Sequence, residues 1–441
     1  MRQVITAKLK LQTDGAQFQA LRATQLAYRD ALNSVSSYSF ARGKKSNQEW
    51  LQRETYADIR AVYHLPAQMA CNVPRQVGAT YKTLWTKMRQ NAQARHAGIT
   101  KKRYKGLDKA PKYVSPTLTY NFHRDYSLKE DHQVSILTLH GRVIVPYTGY
   151  QEHVALLHDG ARIGAARLWY DKPRKQFYLL VCLEIEVADP TPQMHTTVVG
   201  VDVGMRQLAV TATTRGDQSF HSGKRIVASA NHYARLGKRL QKKGTRSATR
   251  RLVIISGRER RLKQDANHVV SKRLVTSHPH SLIGLEELKD IRERTKRKHG
   301  KKASKKQRRA NAAHSKWAYG ELHAMIAYKA LCSSSMAIKV DANFTSQACP
   351  MCGHTCPENR PEKGLLFVCQ NCHYSLHADL IGARNVTMRT LLIRQDWVRT
   401  GQLSVAPGLL DDPDVSRDEA KAARLARYAE LRWSVDTSPA F

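Results

Sequence analysis

Four cysteines fall in two C-x-x-C pairs, Cys349-Pro350-Met351-Cys352 and Cys369-Gln370-Asn371-Cys372, with sixteen residues between them. Each pair sets two thiolates on one tight knuckle, and two knuckles on facing hairpins close a tetrahedron around zinc at about 2.3 Å per sulfur. Because Cys349, Cys352, Cys369 and Cys372 fill every position, none stays open for catalysis, and the expected Zn2+ is structural. A reactive dithiol is the alternative, and the doubled pair argues against it. His354, Cys356 and His373 lie close by in sequence and are read as bystanders.

Three carboxylates form a second chemical set. Asp202 interrupts the apolar stretch TTVVGVDVGMRQLAVT, residues 196–211, between Gly200 and Gly204. Val198, Val199 and Val201 mark a buried β-branched strand. Gly204-Met205-Arg206-Gln207 then turns the chain into a second apolar run, Leu208 to Val210. A carboxylate in such a strand is costly unless a cation, a hydrogen-bond shell or a divalent metal compensates it. An exposed Asp on a bent hairpin is the plain alternative. Glu286 closes a second strand pattern, SLIGLEEL, residues 281–288. Glu287 is the competing choice: alternation puts Glu286 on the face opposite Leu285 and Glu287 on the face of Leu285. Asp379 opens a helical pattern with Ile381, Val386 and Leu391 or Leu392 available to pack. An ordinary N-cap is the alternative there. Brought together, Asp202, Glu286 and Asp379 cannot all stay ionised without cations. Two divalent ions about 4 Å apart would resolve the repulsion, activate water and stabilise the leaving oxygen of a phosphodiester. Oxygen ligands select Mg2+ or Mn2+ over zinc.

The rest of the chain must hold these groups and meet its own charge. Lys and Arg number 73 against 36 Asp and Glu, a net +37 over 441 residues. No small-molecule enzyme needs that charge. It repels itself unless a polyanion neutralises it, and nucleic acid is the default polyanion. A hydrophobic content of 41% is enough for packed cores, and the length allows two to four domains. The start, MRQVITAKLKLQT, has no apolar signal core, and no run of 18 apolar residues occurs, so no membrane span is expected. Four further cysteines, Cys71, Cys182, Cys332 and Cys356, are scattered. That usage suits a reducing cytoplasm with one metal site.

Residues 2–12 alternate in part and read as a short strand. Phe18, Leu21, Tyr28 and Leu32 keep helical spacing until Ser34 to Ser39 break it. Trp50, Leu51, Ile59 and Val62 suggest a second helix. Pro66 opens a third with Met69, Val73, Val77, Tyr81, Leu84, Trp85 and Met88 near one face, where Pro74 is a candidate kink. Residues 95–112 are basic and turn-rich, a linker. From Tyr113 the period becomes that of strands: VSILTL, RVIVPY, VALLHD, then a hairpin from Ala166–Tyr170 through a turn at 172–175 to Phe177–Val187. Several short strands at this spacing suggest a small antiparallel barrel or sandwich, completed by residues 2–12. After Val210 the pattern is helical and basic, with a sparse apolar face over Tyr233–Gln264 and a packed helix over Asn267–Val275. Ser315–Leu331 reads as a helix and Met336–Val340 as a strand. Between them and Glu286, the run from Arg292 to Arg309 holds eleven basic residues against one Glu: Arg292, Arg294, Lys296, Arg297, Lys298, Lys301, Lys302, Lys305, Lys306, Arg308 and Arg309. Such a run is usually a solvated face; beside a candidate catalytic strand it is expected to contact phosphate.

In order along the chain stand V-G-V-D-V-G, G-L-E-E-L, T-S-Q-x-C-P-x-C-G-H, C-x-x-C-x-x-x-x-H-A-D and A-R-N. Together they resemble the RuvC nuclease and zinc ribbon of TnpB, the transposon-encoded relatives of type V CRISPR effectors. Ser315-Lys316-Trp317 and Tyr328-Lys329-Ala330 are also similar. The resemblance is specific over about 196–392 and architectural before it. It implies an α/β, split RNase H-like nuclease domain with an inserted zinc ribbon, and an N-terminal wedge β-barrel with an inserted helical recognition lobe. On that pattern the wedge barrel is 1–12 and 113–190 and the helical lobe 13–112. The nuclease domain is 191–345 and 379–395, the zinc ribbon 346–378, and 396–441 a C-terminal extension. The resemblance implies that Asp202, Glu286 and Asp379 are the metal-binding triad, that guide RNA is bound, and that target double-stranded DNA is cut.

The pattern departs in two places. Asp379-Leu380-Ile381-Gly382-Ala383 stands where the family often has D-x-N-A-A, so Ile381 is expected to remove a polar group near the site. Glu287 stands where Asp is common. In the extension, Ser416-x-x-Glu419 is a capping box before a helix with Ala422, Leu425 and Leu431. The expected protein is a cytoplasmic monomer. A compact type V effector shares the chemistry with a different RNA source. A non-cleaving RNA-guided binder would lack an acid, and all three are present. A zinc-ribbon protein that binds DNA without RNA fits the sequence least.

Overall fold

The computed structural model describes residues 1–158, 160–288, 304, 319–361, 365–404 and 417–434. They divide into two compact units, Arg2–Glu186, and Val187 onward with Met1. Among the described residues no helix is long and apolar enough to cross a membrane.

The first unit runs β1 (Arg2–Leu11), α1 (Gly15–Ala41), α2 (Gln48–Tyr63), α3 (Ala67–His96), β2 (Leu118–Tyr120), β3 (Tyr126–Lys129), β4 (Gln133–Thr138), β5 (Gly141–Thr148), α4 (Gln151–His158), β6 (Ala161–Asp171) and β7 (Gln176–Glu186). Its strands form one sheet in the order β2-β6-β7-β1-β5-β4-β3. β1 buries Ala7, Leu9 and Leu11 and sends Lys8 and Lys10 outward, as a period of two requires. The Tyr126 hydroxyl at one edge donates to the Gly164 carbonyl, one strand in from the other edge, at 2.6 Å. The sheet is thereby nearly closed into a barrel.

Three local expectations change in this unit. α1 runs unbroken through Ser34–Ser39. Its serine hydroxyls have acceptors outside the helix: Ser36 donates to the distant Pro111 carbonyl at 2.8 Å and Ser39 to that of Lys45, just past the helix end, at 2.7 Å. Residues 154–158 of VALLHD lie in the helix α4 rather than in a strand. Its apolar run is too short for periodicity to separate the two, and Glu152 in the first turn suits the helix dipole. Pro74 is buried within α3 without dividing it.

The second unit runs β8 (Thr197–Asp202), β9 (Gln207–Thr213), β10 (Gln218–Ser222), α5 (Lys224–Lys243), α6 (Arg246–Ser277), β11 (Ser281–Glu286), α7 (Tyr319–Cys332), β12 (Met336–Val340), β13 (Leu366–Val368), β14 (Ser375–His377), α8 (Ala378–Thr400) and α9 (Arg417–Ala429). The sheet order is β10-β9-β8-β11-β12, antiparallel through β8 and parallel from β8 to β12. β10 replaces the helix expected directly after Val210. Its polar side chains suit an edge strand, tied to β9 by the Thr211–Ser219 hydroxyl pair at 2.7 Å. Gly244, at φ +66°, ends α5, and the Thr245 side chain caps α6 by accepting from Ala248 N at 3.2 Å.

The two faces of this sheet are covered differently. Val199, Val201, Ile283 and Leu285 pack with Val270 and Leu274 of α6 and Leu322 and Ile326 of α7. The opposite face carries Leu282, Ile338 and Val340 against Val386 and Ile393 of α8. On that same face Val210 and Ala212 pack against Leu380, Ala383 and Met388 of α8, together with Trp433 beyond α9.

Candidate functional site

Two glycines make the seat from which the acids project. Gly200 of β8 pairs with Gly284 of β11 across a parallel register. A Cβ on Gly200 would stand 2.2 Å from the Thr387 nitrogen and 2.4 Å from the Ala383 carbonyl, and one on Gly284 would stand 1.8 Å from Thr390 Oγ1. α8 therefore lies directly on this part of the sheet, closer than any side chain allows. Asp202 and Glu286 each follow their glycine by two residues, so they share its face. One step past the Leu285–Val201 pair, the register sets them side by side at the carboxyl ends of neighbouring parallel strands. Asp379 is the second residue of α8. The N-cap is His377, whose Nδ1 accepts from Asp379 N at 3.2 Å, so Asp379 is free of the capping role.

The electrostatics bind these three positions into one site. Burial raises the Asp202 carboxyl well above the usual carboxylate range, and the charges of Glu286 and Asp379 raise it further while Arg360 opposes them. Burial pushes Glu286 up to about 7, against the Thr345 hydroxyl and the Arg389 guanidinium. Carboxyls raised in this way gain from a divalent cation. Glu286 is 6% exposed and accepts from Thr345 Oγ1 at 2.7 Å. Glu287 lies past the end of β11, where its backbone N–H donates to the Val340 carbonyl at 2.7 Å.

The structure relocates Ile381. It is fully buried with Cys349, Phe367, Cys369 and Ala378, so it packs against the cysteine knuckles. The residue that matters to Asp202 is its neighbour Gly382, where a Cβ would meet Asp202 Oδ1 at 2.8 Å. Thr345, Arg389 and Arg360 are site neighbours that sequence reasoning gave no role. Thr345 opens the T-S-Q-x-C motif, which was a usable signal. Arg389 carried none, because an Arg in a helix reads as an exposed charge. The basic run Arg292–Arg309 and Ser315-Lys316-Trp317 lie outside the described residues.

The four cysteines meet. Cys349 and Cys372 bring their sulfurs to 3.6 Å, Cys352 and Cys369 to 3.5 Å, and all four lie within 4.8 Å of one another. A zinc–thiolate tetrahedron has sulfur–sulfur edges of about 3.8 Å, so the set fits zinc. Each knuckle ends in a left-handed residue, Gly353 at φ +79° and His373 at φ +57°. Their N–H groups donate to the carbonyls of Cys349 and Cys369 at 2.9 and 3.0 Å. Among the described residues no other group of His, Cys, Asp or Glu gathers in this way.

Known proteins match the same segments. Residues 180–289 match the family OrfB_IS605, described as "Probable transposase", and residues 319–386 match the Cas12f1-like TNB domain. InsQ of Escherichia coli (strain K12), which carries the name of a candidate RNA-guided DNA endonuclease, is 27% identical over 48% of this chain and 53% of its own. The TnpB-like protein MJ0751 of Methanocaldococcus jannaschii is 31% identical over 30% of this chain and 44% of its own. The chain thus spans about half the length of these curated relatives. A solved structure, CasPhi-2 (Cas12j) bound to crRNA, is 10% identical with a TM-score of 0.50, covering 88% of this chain and 98% of that one. At that identity the likeness is one of fold.

Proposed function

We propose that the chain is a TnpB-family RNA-guided DNA endonuclease with RuvC-type chemistry, a reading its family matches and its likeness to InsQ and MJ0751 support. The observation that carries the reading is the convergence of Asp202, Glu286 and Asp379 at one end of the sheet, each from a different element. A central sheet of three antiparallel and two further parallel strands supports an RNase H-like nuclease domain. Asp202, Glu286 and Asp379 would hold Mg2+, which supplies an activated water and neutralises charge on the leaving oxygen. Thr345 fixes the orientation of the Glu286 carboxylate, and the α8 face excludes bulk water behind the acids. The zinc ribbon, 346–378, braces the start of α8 through Phe367 and Ile381. The net +37 suits guide RNA and target DNA as partners, with base pairing reading the target and the protein reading backbone shape and a short flanking motif. The Arg292–Arg309 run is proposed to contact phosphate, and the protein to act as a cytoplasmic monomer.

Sequencing the RNA that copurifies with the protein tests the reading. A discrete guide-length RNA that programs cutting of a matching duplex in Mg2+ is expected, and the absence of bound RNA would overturn it. The Cas12f1-like match of residues 319–386 favours one second reading, a compact type V effector; transposon-end RNA or repeat-array RNA separates the two.

A further inference from the structure

The C-terminal helix reaches the acid site through Arg389 of α8. Tyr428 in α9 lies under the guanidinium of Arg389 in α8, with 4.2 Å from Arg389 Cζ to the ring centroid. Arg389 is 3% exposed and donates to the Asp341 carbonyl at 2.6 Å and the Asn343 carbonyl at 2.8 Å. Those carbonyls shape the loop that leaves β12 and delivers Thr345, whose hydroxyl donates to Glu286 at 2.7 Å. Asn385 grips the same loop by donating to the Thr345 and Ala348 carbonyls at 2.7 and 2.9 Å.

Helix α9 is itself pinned. Arg427 pairs with the buried Asp396 of α8 at 2.8 Å, and the Trp433 backbone N–H donates to the Pro350 carbonyl of the first knuckle at 2.7 Å. A buried guanidinium needs its donors and its charge met. Two carbonyls meet donors, and the face of an aromatic ring meets the charge. Without the ring, the fork that shapes the 341–345 loop loses its fixed plane.

We propose that Tyr428 is a positioning residue for the acid site: by holding Arg389 flat, it fixes the loop whose Thr345 hydroxyl orients Glu286. This rests on the proposed metal role of Asp202, Glu286 and Asp379.

The test is Mn2+ binding to the full-length protein, read by electron paramagnetic resonance at one pH, with zinc content and melting temperature measured alongside. Tyr428→Leu keeps apolar bulk and removes the ring face. It is expected to weaken Mn2+ binding about tenfold, the scale for loss of an outer partner of a metal ligand, with zinc and melting temperature near those of the parent. Tyr428→Phe restores the ring and is expected to bind like the parent. Asp202→Asn is the control and is expected to lose the site. If Asp202→Asn loses Mn2+ while Tyr428→Leu binds like the parent, the positioning role is overturned. If Asp202→Asn binds like the parent, the metal reading fails and the inference falls with it. Should Tyr428→Leu not fold, Arg389→Lys, which keeps the charge and loses the planar fork, carries the same two outcomes.

Discussion

A carboxylate at the end of a buried strand is stable only through what surrounds it. Asp202 and Glu286 are each raised by burial, a cost to the charged form that a bound cation would relieve. Asp202→Ala, Glu286→Ala and Asp379→Ala are each expected to abolish Mg2+-dependent cutting while RNA and target binding persist in gel-shift assays. Glu287→Ala should cut nearly as the parent does, since Glu287 stands beyond the strand end. A second expectation follows from proton linkage. Glu286 titrates near 7 when folded against 4.5 ordinarily, so between those values the folded state holds the extra proton. The metal-free protein therefore loses stability as pH rises from about 4.5 to about 7 and loses no more from this group above that. Glu286→Gln keeps an acceptor for Thr345 and removes the loss. Its melting temperature, measured in chelator, should exceed that of the parent by a margin that grows across this window; parallel curves would refute the assignment.

At the scale of elements, the site depends on how closely α8 lies on the sheet. Gly200→Ala places a methyl against α8 backbone, which cannot step aside, and should cost about 3 kcal/mol by denaturant unfolding. Gly284→Ala meets chiefly the Thr390 side chain. It should be partly rescued by Thr390→Ala, whereas Gly200→Ala should not be, and that contrast checks the packing. The cysteine knuckles act on the same helix, because Ile381 and Ala378 share a buried cluster with Cys349 and Cys369. Cys349→Ser or Cys372→Ser should lose zinc by elemental analysis and lower the melting temperature of this unit, since a structural ion supplies folding energy. Retention of full stability without zinc would contradict the bracing role.

For the whole molecule the governing quantity is the net charge of +37. Binding to nucleic acid should weaken steeply with salt, because each phosphate neutralised releases counterions. Replacing Lys301, Lys302, Lys305 and Lys306 with Ala should lower cleavage and reduce the salt slope by up to about one per lost phosphate contact. Thermal stability should hardly change. A variant that binds and cuts like the parent at every salt concentration would move the contact elsewhere, most directly to the basic helices α5 and α6.

The chemistry was legible in the sequence because it is carried by residue type and spacing. A doubled C-x-x-C, an Asp inside a Val-rich strand and a strand ending in Glu are local patterns, whereas Glu286 and Glu287 competed on the period of the strand and the family motif pointed to Glu286. The strands β4, β5, β6, β7 and β12 were equally local. What sequence missed depends on partners far along the chain. Ser36 stays in a helix because the distant Pro111 carbonyl accepts its hydroxyl. Ile381 is buried because the ribbon packs on it. Gly382 is needed because Asp202 occupies the space a Cβ would take. Arg389 and Tyr428 matter through a loop that neither adjoins in sequence. Spacing along one element fixes which way a side chain faces; only tertiary packing decides what it then meets.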